Sequence, residues 1–250
     1  LSLNVYASKV RHYKKRNLQQ AGRIIHRFAS EHPDLFVGIN LDPDVYMNPF
    51  FESPKLWHDY NPDTVRQFRE WLRSSGPYAG PTGGDLPNLS SYRRKNPLAL
   101  AEIGKLMGKS LASWDDVDPP RDFPRKLKQF WEDPWVREWE LFRRHLVDLH
   151  YDELSEWLVE AGIESRFIFS SQGFIAPMGK AMPFAVRLDS SVKNYDSGGM
   201  SIEGAVPSQG HLGAILYGDA SLNNVRMEGT PSLFATFRSF DANWGVIEHN

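Results

Sequence analysis

Cysteine is absent from all 250 residues, which excludes a disulfide framework, a thiolate metal site and a cysteine nucleophile. An excess of charge of either sign is absent too. With 29 Lys and Arg against 31 Asp and Glu, the formal net charge is -2, so no global basic field points to nucleic acid or an anionic membrane as a partner. No apolar run approaches the roughly 18 residues of a membrane span. What the chain does have is aromatic surface, with 8 Trp, 9 Tyr and 15 Phe. Flat rings serve two ends: they fill large cores, or they stack on the C–H faces of sugar rings. The length is enough for one large core.

The stretch Leu35-Phe36-Val37-Gly38-Ile39-Asn40-Leu41-Asp42-Pro43-Asp44 is an apolar run of strand length that ends in two carboxylates. A buried parallel strand reads this way, and in parallel α/β proteins the C-terminal ends of strands are where sites are built. Its plainer reading is a loop capped by Asp42 and Asp44 around a turn at Pro43. Residues from about 6 to 30 have helical periodicity, with Leu18, Ala21, Ile25 and Phe28 on one face. After the acids comes an aromatic loop, Val45 to Glu52. Asn61-Pro62-Asp63 then signals a helix start whose buried stripe is Val65, Phe68 and Leu72. Residues 76–132 read as a long insertion of loop with a short helix near 97–108, too lengthy for an idle connection; it is expected to overhang the site or to join copies of the chain into a homo-oligomer.

The strongest helix runs from Pro134 to about Ala161, with Asp133 as N-cap, Gly162 past its end, and Trp135, Trp139, Phe142, Leu146 and Leu149 at helical spacing. Arg166 to Gly173 reads as a second strand ending in polar groups. Strand-like segments follow near 184–188, 192–195 and 199–204, then a helix over 231–240 and a last strand over 244–250. His211, after Pro207-Ser208-Gln209-Gly210, is placed in a loop able to cover the site. Strands that repeatedly end in polar groups, alternating with helices, are the pattern of a (β/α)8 TIM barrel. Only about five strands are legible, and an open sheet edge is costly. The chain is therefore expected to supply about the last five βα units, residues 1–250 being the C-terminal part of a barrel whose N-terminal part lies upstream of Leu1.

The segment from about 35 to 140 resembles family 42 glycoside hydrolases, the β-galactosidase-type barrel enzymes. Their fourth strand carries a pattern like Ile-Gly-x-x-x-Asp-Asn-Glu, and Val37-Gly38-Ile39-Asn40-Leu41-Asp42-Pro43-Asp44 lies in that register. A Phe-Arg-x-Trp-Leu helix is matched by Phe68-Arg69-Glu70-Trp71-Leu72, and a Trp-x-x-Phe helix by Trp139-Glu140-Leu141-Phe142. Between them lie a Leu-rich helix at 98–108 and the segment Ser113-Trp114 to Pro119-Pro120. The resemblance implies a glycosidase acting on β-linked glycosides with no cofactor and no metal, Asp44 in the place of the acid/base and Glu203 in that of the nucleophile. The pattern departs where Pro43-Asp44 replaces Asn-Glu.

Retaining hydrolysis needs two carboxylates about 5–5.5 Å apart, one attacking the anomeric carbon and one protonating the leaving oxygen. Ends of the fourth and seventh strands face each other across a barrel mouth, which would let Asp44 and Glu203 meet. Candidate partners for sugar hydroxyls are Asn40, Asp42 and Tyr46 about the first strand end, Ser171, Gln172, Asn194 and Tyr195 at later ones, and Trp244, Glu248 and Asn250 about the last. Two other classes fit the same residues: a carbohydrate-binding barrel whose catalysis is impaired at Pro43-Asp44, and a divalent-metal barrel using the hard oxygens of Asp42, Asp44 and Glu203.

Overall fold

A computed structural model describes residues 8–41, 60–73, 97–122, 133–171, 206–216, 237–238 and 240–249. In chain order these form α1 (Ser8–Glu31), β1 (Ile39–Asn40), α2 (Pro62–Arg73), α3 (Leu100–Met107), a 3-10 turn (Trp114–Asp116), α4 (Pro134–Glu160), a second 3-10 turn (Ser165–Phe167), β2 (Ile168–Phe169), β3 (Gly213–Leu216) and β4 (Gly245–His249). Phe237, Arg238 and Phe240 are also helical.

The helices start and stop where their caps dictate. Asn61 Oδ1 accepts the amides of Asp63 and Thr64, both at 3.0 Å, so Pro62 opens α2 without an orphan donor. Asp133 Oδ1 does the same for Trp135 and Val136 at the start of α4. Gly162, at φ +100°, takes the left-handed turn beyond the far end of α4. The apolar stripes of α2 and α4 then meet. Phe68 lies at the centre of the contact, its ring 5.4, 5.1 and 5.2 Å from those of Trp135, Trp139 and Phe142. Phe68, Leu72, Trp139, Phe142 and Leu146 are all essentially sealed from solvent. Burying each such side chain contributes about 1.5–3 kcal/mol. Trp71 and Trp135 also lie in this core.

The described part of the insertion belongs to the same core. Ile103 and Val117 are fully buried. Arg69 Nε donates to the Val117 carbonyl at 2.9 Å, and the Tyr60 hydroxyl to that of Pro120 at 2.7 Å. Tyr60 stacks on Trp139 at 5.3 Å, and burial pushes its phenol up to about 12.

Helices α1 and α4 lie parallel. Arg11 pairs with Glu153, Lys15 and Gln19 reach Glu160, and Gly22 meets Leu158 and Ala161. A Cβ at Gly22 would come within 2.8 Å of the Ala161 Cβ, so glycine sets how closely the axes approach. This seat differs from the expected stripe on α1. Leu18 and Ile25 pack on the core, while Ala21 and Phe28 are exposed, because α4 contacts the side of α1 that carries Arg11, Lys15 and Gly22.

The described strands form two parallel pairs, β1-β2 and β3-β4, with a single bridge between them just ahead of β3. Ile39 and Asn40 pair with Ile168 and Phe169, a bridge joins Phe169 to His211, and Gly213 pairs with Gly245. The expected strand over 35–41 is shorter: its ladder covers Ile39 and Asn40 and is continued by the Leu41 amide bonding the Phe169 carbonyl at 2.8 Å. Val37 is 87% exposed. Among the described strands β1 has a neighbour on one side only, so this apolar run is not buried along its length. His211 follows a turn at 208–210 and forms an isolated parallel bridge with Phe169, two residues before β3.

Side chains alternate across this sheet as a strand period of two requires. Ile39, Leu41, Ile168, Leu212 and Ala214 join the helix-side core. Gly38, Phe169 and Gly245 fall on the other face. The Phe169 ring is 3.2 Å from where a Gly38 Cβ would be and 2.9 Å from that of Gly245, on a strand two places away. The two glycines leave room for this ring.

Candidate functional site at the strand ends

The C-terminal end of β2 carries Ser170 and Ser171, both fully buried. Their hydroxyls continue the sheet ladder on either side. Ser171 Oγ hydrogen-bonds the side chain of Asn40 and lies 3.1 Å from the Leu41 carbonyl on the β1 side. Ser170 Oγ accepts the Gly213 amide at 3.2 Å on the β3 side. Adjacent strand ends are thus joined by hydroxyl and amide groups, and Asn40 remains exposed.

Of the residues expected from sequence, Asn40 and Ser171 are brought together. Both stand on the face opposite the helices, by alternation from Gly38 and Phe169. Glu248 is exposed on β4, paired with Ile215 just past an irregularity in the ladder. It lies at the far edge of the described sheet from Asn40. Trp244, which the sequence leaves open as a sugar-stacking or a core residue, is half-buried. Its neighbour Gly245 faces Phe169, so Trp244 points to the helix side, where it meets Phe237 at 5.2 Å and packs on the core. Asp42, Asp44, Tyr46, Gln172, Asn194, Tyr195, Glu203 and Asn250 lie outside the described residues, as do the strand-like segments near 184–188, 192–195 and 199–204.

Sequence reasoning passed over a second polar group. The Asp241 carboxylate lies 3.0 Å from His211 Nδ1 and accepts the amides of Leu212 at 2.9 Å and Asn243 at 2.8 Å. His211 precedes β3 and Asp241 precedes β4, so the group ties together the chain just ahead of two strands. In parallel α/β folds that end serves stability rather than chemistry. The available signal was the apolar run Leu212 to Leu216 directly after the turn residues Pro207 to Gly210.

Asn40 and Ser171 can orient a neutral hydroxyl-bearing ligand; they contain no group that titrates near neutrality. Among the described residues no three His, Asp or Glu side chains converge to hold a metal ion. No described helix is long and apolar enough to cross a membrane. Comparison with known proteins finds no family model, no curated protein and no solved structure that matches the chain.

Proposed function

We infer that the chain is the C-terminal part of a (β/α)8 barrel that hydrolyses β-linked glycosides, β-galactosidase-like in type. Glu203 is the nucleophile and Asp44 the acid/base of a retaining reaction. The observation that carries this reading is the pairing of Asn40 with Ser171 at the C-terminal ends of adjacent parallel strands. That end of a parallel sheet is where barrel enzymes hold their substrates. Parallel pairing within both described strand pairs is what an α/β barrel would require. The carboxylate pair itself rests on sequence register.

Pro43-Asp44 in the place of Asn-Glu favours a second reading, a carbohydrate-binding barrel with impaired catalysis. A proline ring has no side-chain donor for a sugar hydroxyl, and Asp is one methylene shorter than Glu. Hydrolysis of an aryl β-glycoside panel by wild type, Glu203→Ala and Asp44→Ala separates the two. Hydrolysis lost in both variants supports the enzyme. A wild type that binds glycosides without cleaving any of them supports the binding barrel.

A further inference from the structure

Positive charge is gathered on one helix. α1 carries seven Lys and Arg and a single acid, Glu31, at its last position, in a chain where 29 basic residues meet 31 acidic ones. The seat of α1 divides these cations. Arg11 and Lys15 turn inward to Glu153 and Glu160 of α4. Lys9, Arg16, Arg23 and Arg27 are all exposed. Steps of seven, seven and four residues separate them, which places them along one line of the helix surface. At a rise of about 1.5 Å per residue the line is about 27 Å long. A solvated helix face ordinarily mixes signs, since opposite charges three or four residues apart attract. Here Arg23 and Arg27 are like charges four apart, which destabilises a helix. Among the described residues no carboxylate pairs with any of the four.

Beside this line stand apolar groups open to water: Tyr13 is 54%, Ile24 69% and Phe28 44% exposed. Cations on one strip of a helix with apolar side chains next to them are the make-up of a helix that lies in an anionic lipid interface. A single-stranded nucleic acid would need free ring faces for its bases. Ile24 has no ring, the Arg16 guanidinium lies over Tyr13 at 5.0 Å, and the Phe28 ring meets His32 at 5.0 Å. We propose that the outer face of α1 docks the protein on an anionic lipid surface, with Lys9, Arg16, Arg23 and Arg27 at the headgroups and Ile24 and Phe28 entering the boundary with the acyl chains. The net charge of -2 does not prevent this, because charges more than about 10 Å away are screened at about 0.1 M salt. The docking face uses no residue of the strand ends, so it stands apart from the carbohydrate reading.

Sedimentation with lipid vesicles tests the proposal on the whole chain. The protein is expected to sediment with phosphatidylcholine vesicles containing about one quarter phosphatidylserine, to stay in solution with phosphatidylcholine alone, and to be released as salt rises. Arg23→Gln combined with Arg27→Gln should weaken partition about twentyfold, near fivefold for each cation; glutamine keeps the helix propensity of arginine. Lys105→Gln combined with Lys109→Gln, exposed on and just after α3, makes the same change in net charge away from the line and should leave partition unchanged. Ile24→Ser should weaken it several-fold, as lost apolar burial requires. Equal losses in the two double variants overturn the docking face, since net charge alone then governs. An Ile24→Ser protein that partitions like wild type overturns the entry of apolar side chains. No sedimentation with the anionic vesicles overturns the lipid surface. In that case, binding of single-stranded oligothymidylate or of polyglutamate, weakened by Arg23→Gln with Arg27→Gln, assigns the face to a nucleic acid or to an acidic protein instead.

Discussion

On the helix side of the sheet, Leu41, Ile168, Leu212 and Ala214 are buried against the aromatic cluster of α2 and α4. On the other side the same strands carry Asn40, Phe169, Ser171, His211, Gly213 and Gly245. The first face is closed by dispersion and area burial, which tolerate many partners of suitable shape. The second is held by specific polar pairs and by glycines that leave room for one ring. Alternation along each strand separates the two within a single residue step. Stability and the proposed ligand recognition are therefore open to separate substitution, and each variant below tests how complete that separation is.

The largest effect is expected at Phe68. Phe68→Ala removes the ring that meets Trp135, Trp139 and Phe142 and leaves a cavity, costing about 3–5 kcal/mol. Urea unfolding measures it, and glycoside affinity of the folded fraction should be unchanged. Gly213→Ala breaks the tidy division from the other side. Its Cβ would lie 1.9 Å from the Ser170 carbonyl oxygen, a backbone atom, so β2 and β3 must part. A loss of about 2–3 kcal/mol is expected by the same measurement, and here binding should fall with stability because Ser171 moves too.

Tyr60→Phe removes the bond to the Pro120 carbonyl, for about 1 kcal/mol. The phenol is raised by burial to about 12, so the folded state favours its protonated form. Its contribution is complete below the ordinary tyrosine value near 10 and is lost as pH rises toward 12. Phenolate absorbance should show a late-titrating tyrosine in wild type that is missing from Tyr60→Phe. The smallest effect is at Asp63. Burial opposes its ionisation, but the Ser8 hydroxyl and amide together with Arg66 outweigh it and hold the carboxyl at about 2. A depressed carboxylate stabilises above its ordinary value near 3.9, and that stabilisation is lost as pH falls toward 2. Asp63→Asn should cost under about 1 kcal/mol at neutral pH, since the pair is solvent-screened. Its stability should converge with wild type in acid.

The helices were legible because their signals are local. Asn61-Pro62 and Asp133-Pro134-Gly162 are caps whose chemistry acts within one turn, and the stripes of α2 and α4 have the right period. Strands were legible only in part, because a strand is defined by its neighbours. Leu35 to Leu41 reads as one buried strand, yet pairing begins at Ile39. Leu212 to Leu216 lacks strong alternation, and β3 was passed over. The aromatic surplus allowed stacking on sugars or filling a core, and in Trp71, Trp135, Trp139 and Phe142 it fills the core. Trp244, at the start of a strand, was legible either as core or as a ring beside a cleft, and it packs against Phe237 and the core. Of the site, Asn40 and Ser171 were named separately. That they touch follows from register between segments far apart in sequence, which composition and spacing do not carry.

That register also bears on the order of folding. Gly213 pairs with Gly245 and Phe169 with His211, whereas Ile39 must find Ile168. The entropy of closing a loop rises by about 0.6 kcal/mol with each doubling of its length, and non-local pairings slow the search. β1 is thus expected to join last, onto a partly assembled β2-β3-β4 sheet. In pulse-labelled hydrogen exchange the Leu41 amide should gain protection after those of Ser170 and His211. Simultaneous protection would mean that the sheet condenses in one step. With β1 comes Asn40, so an intermediate already rich in structure still lacks one half of the Asn40–Ser171 pair.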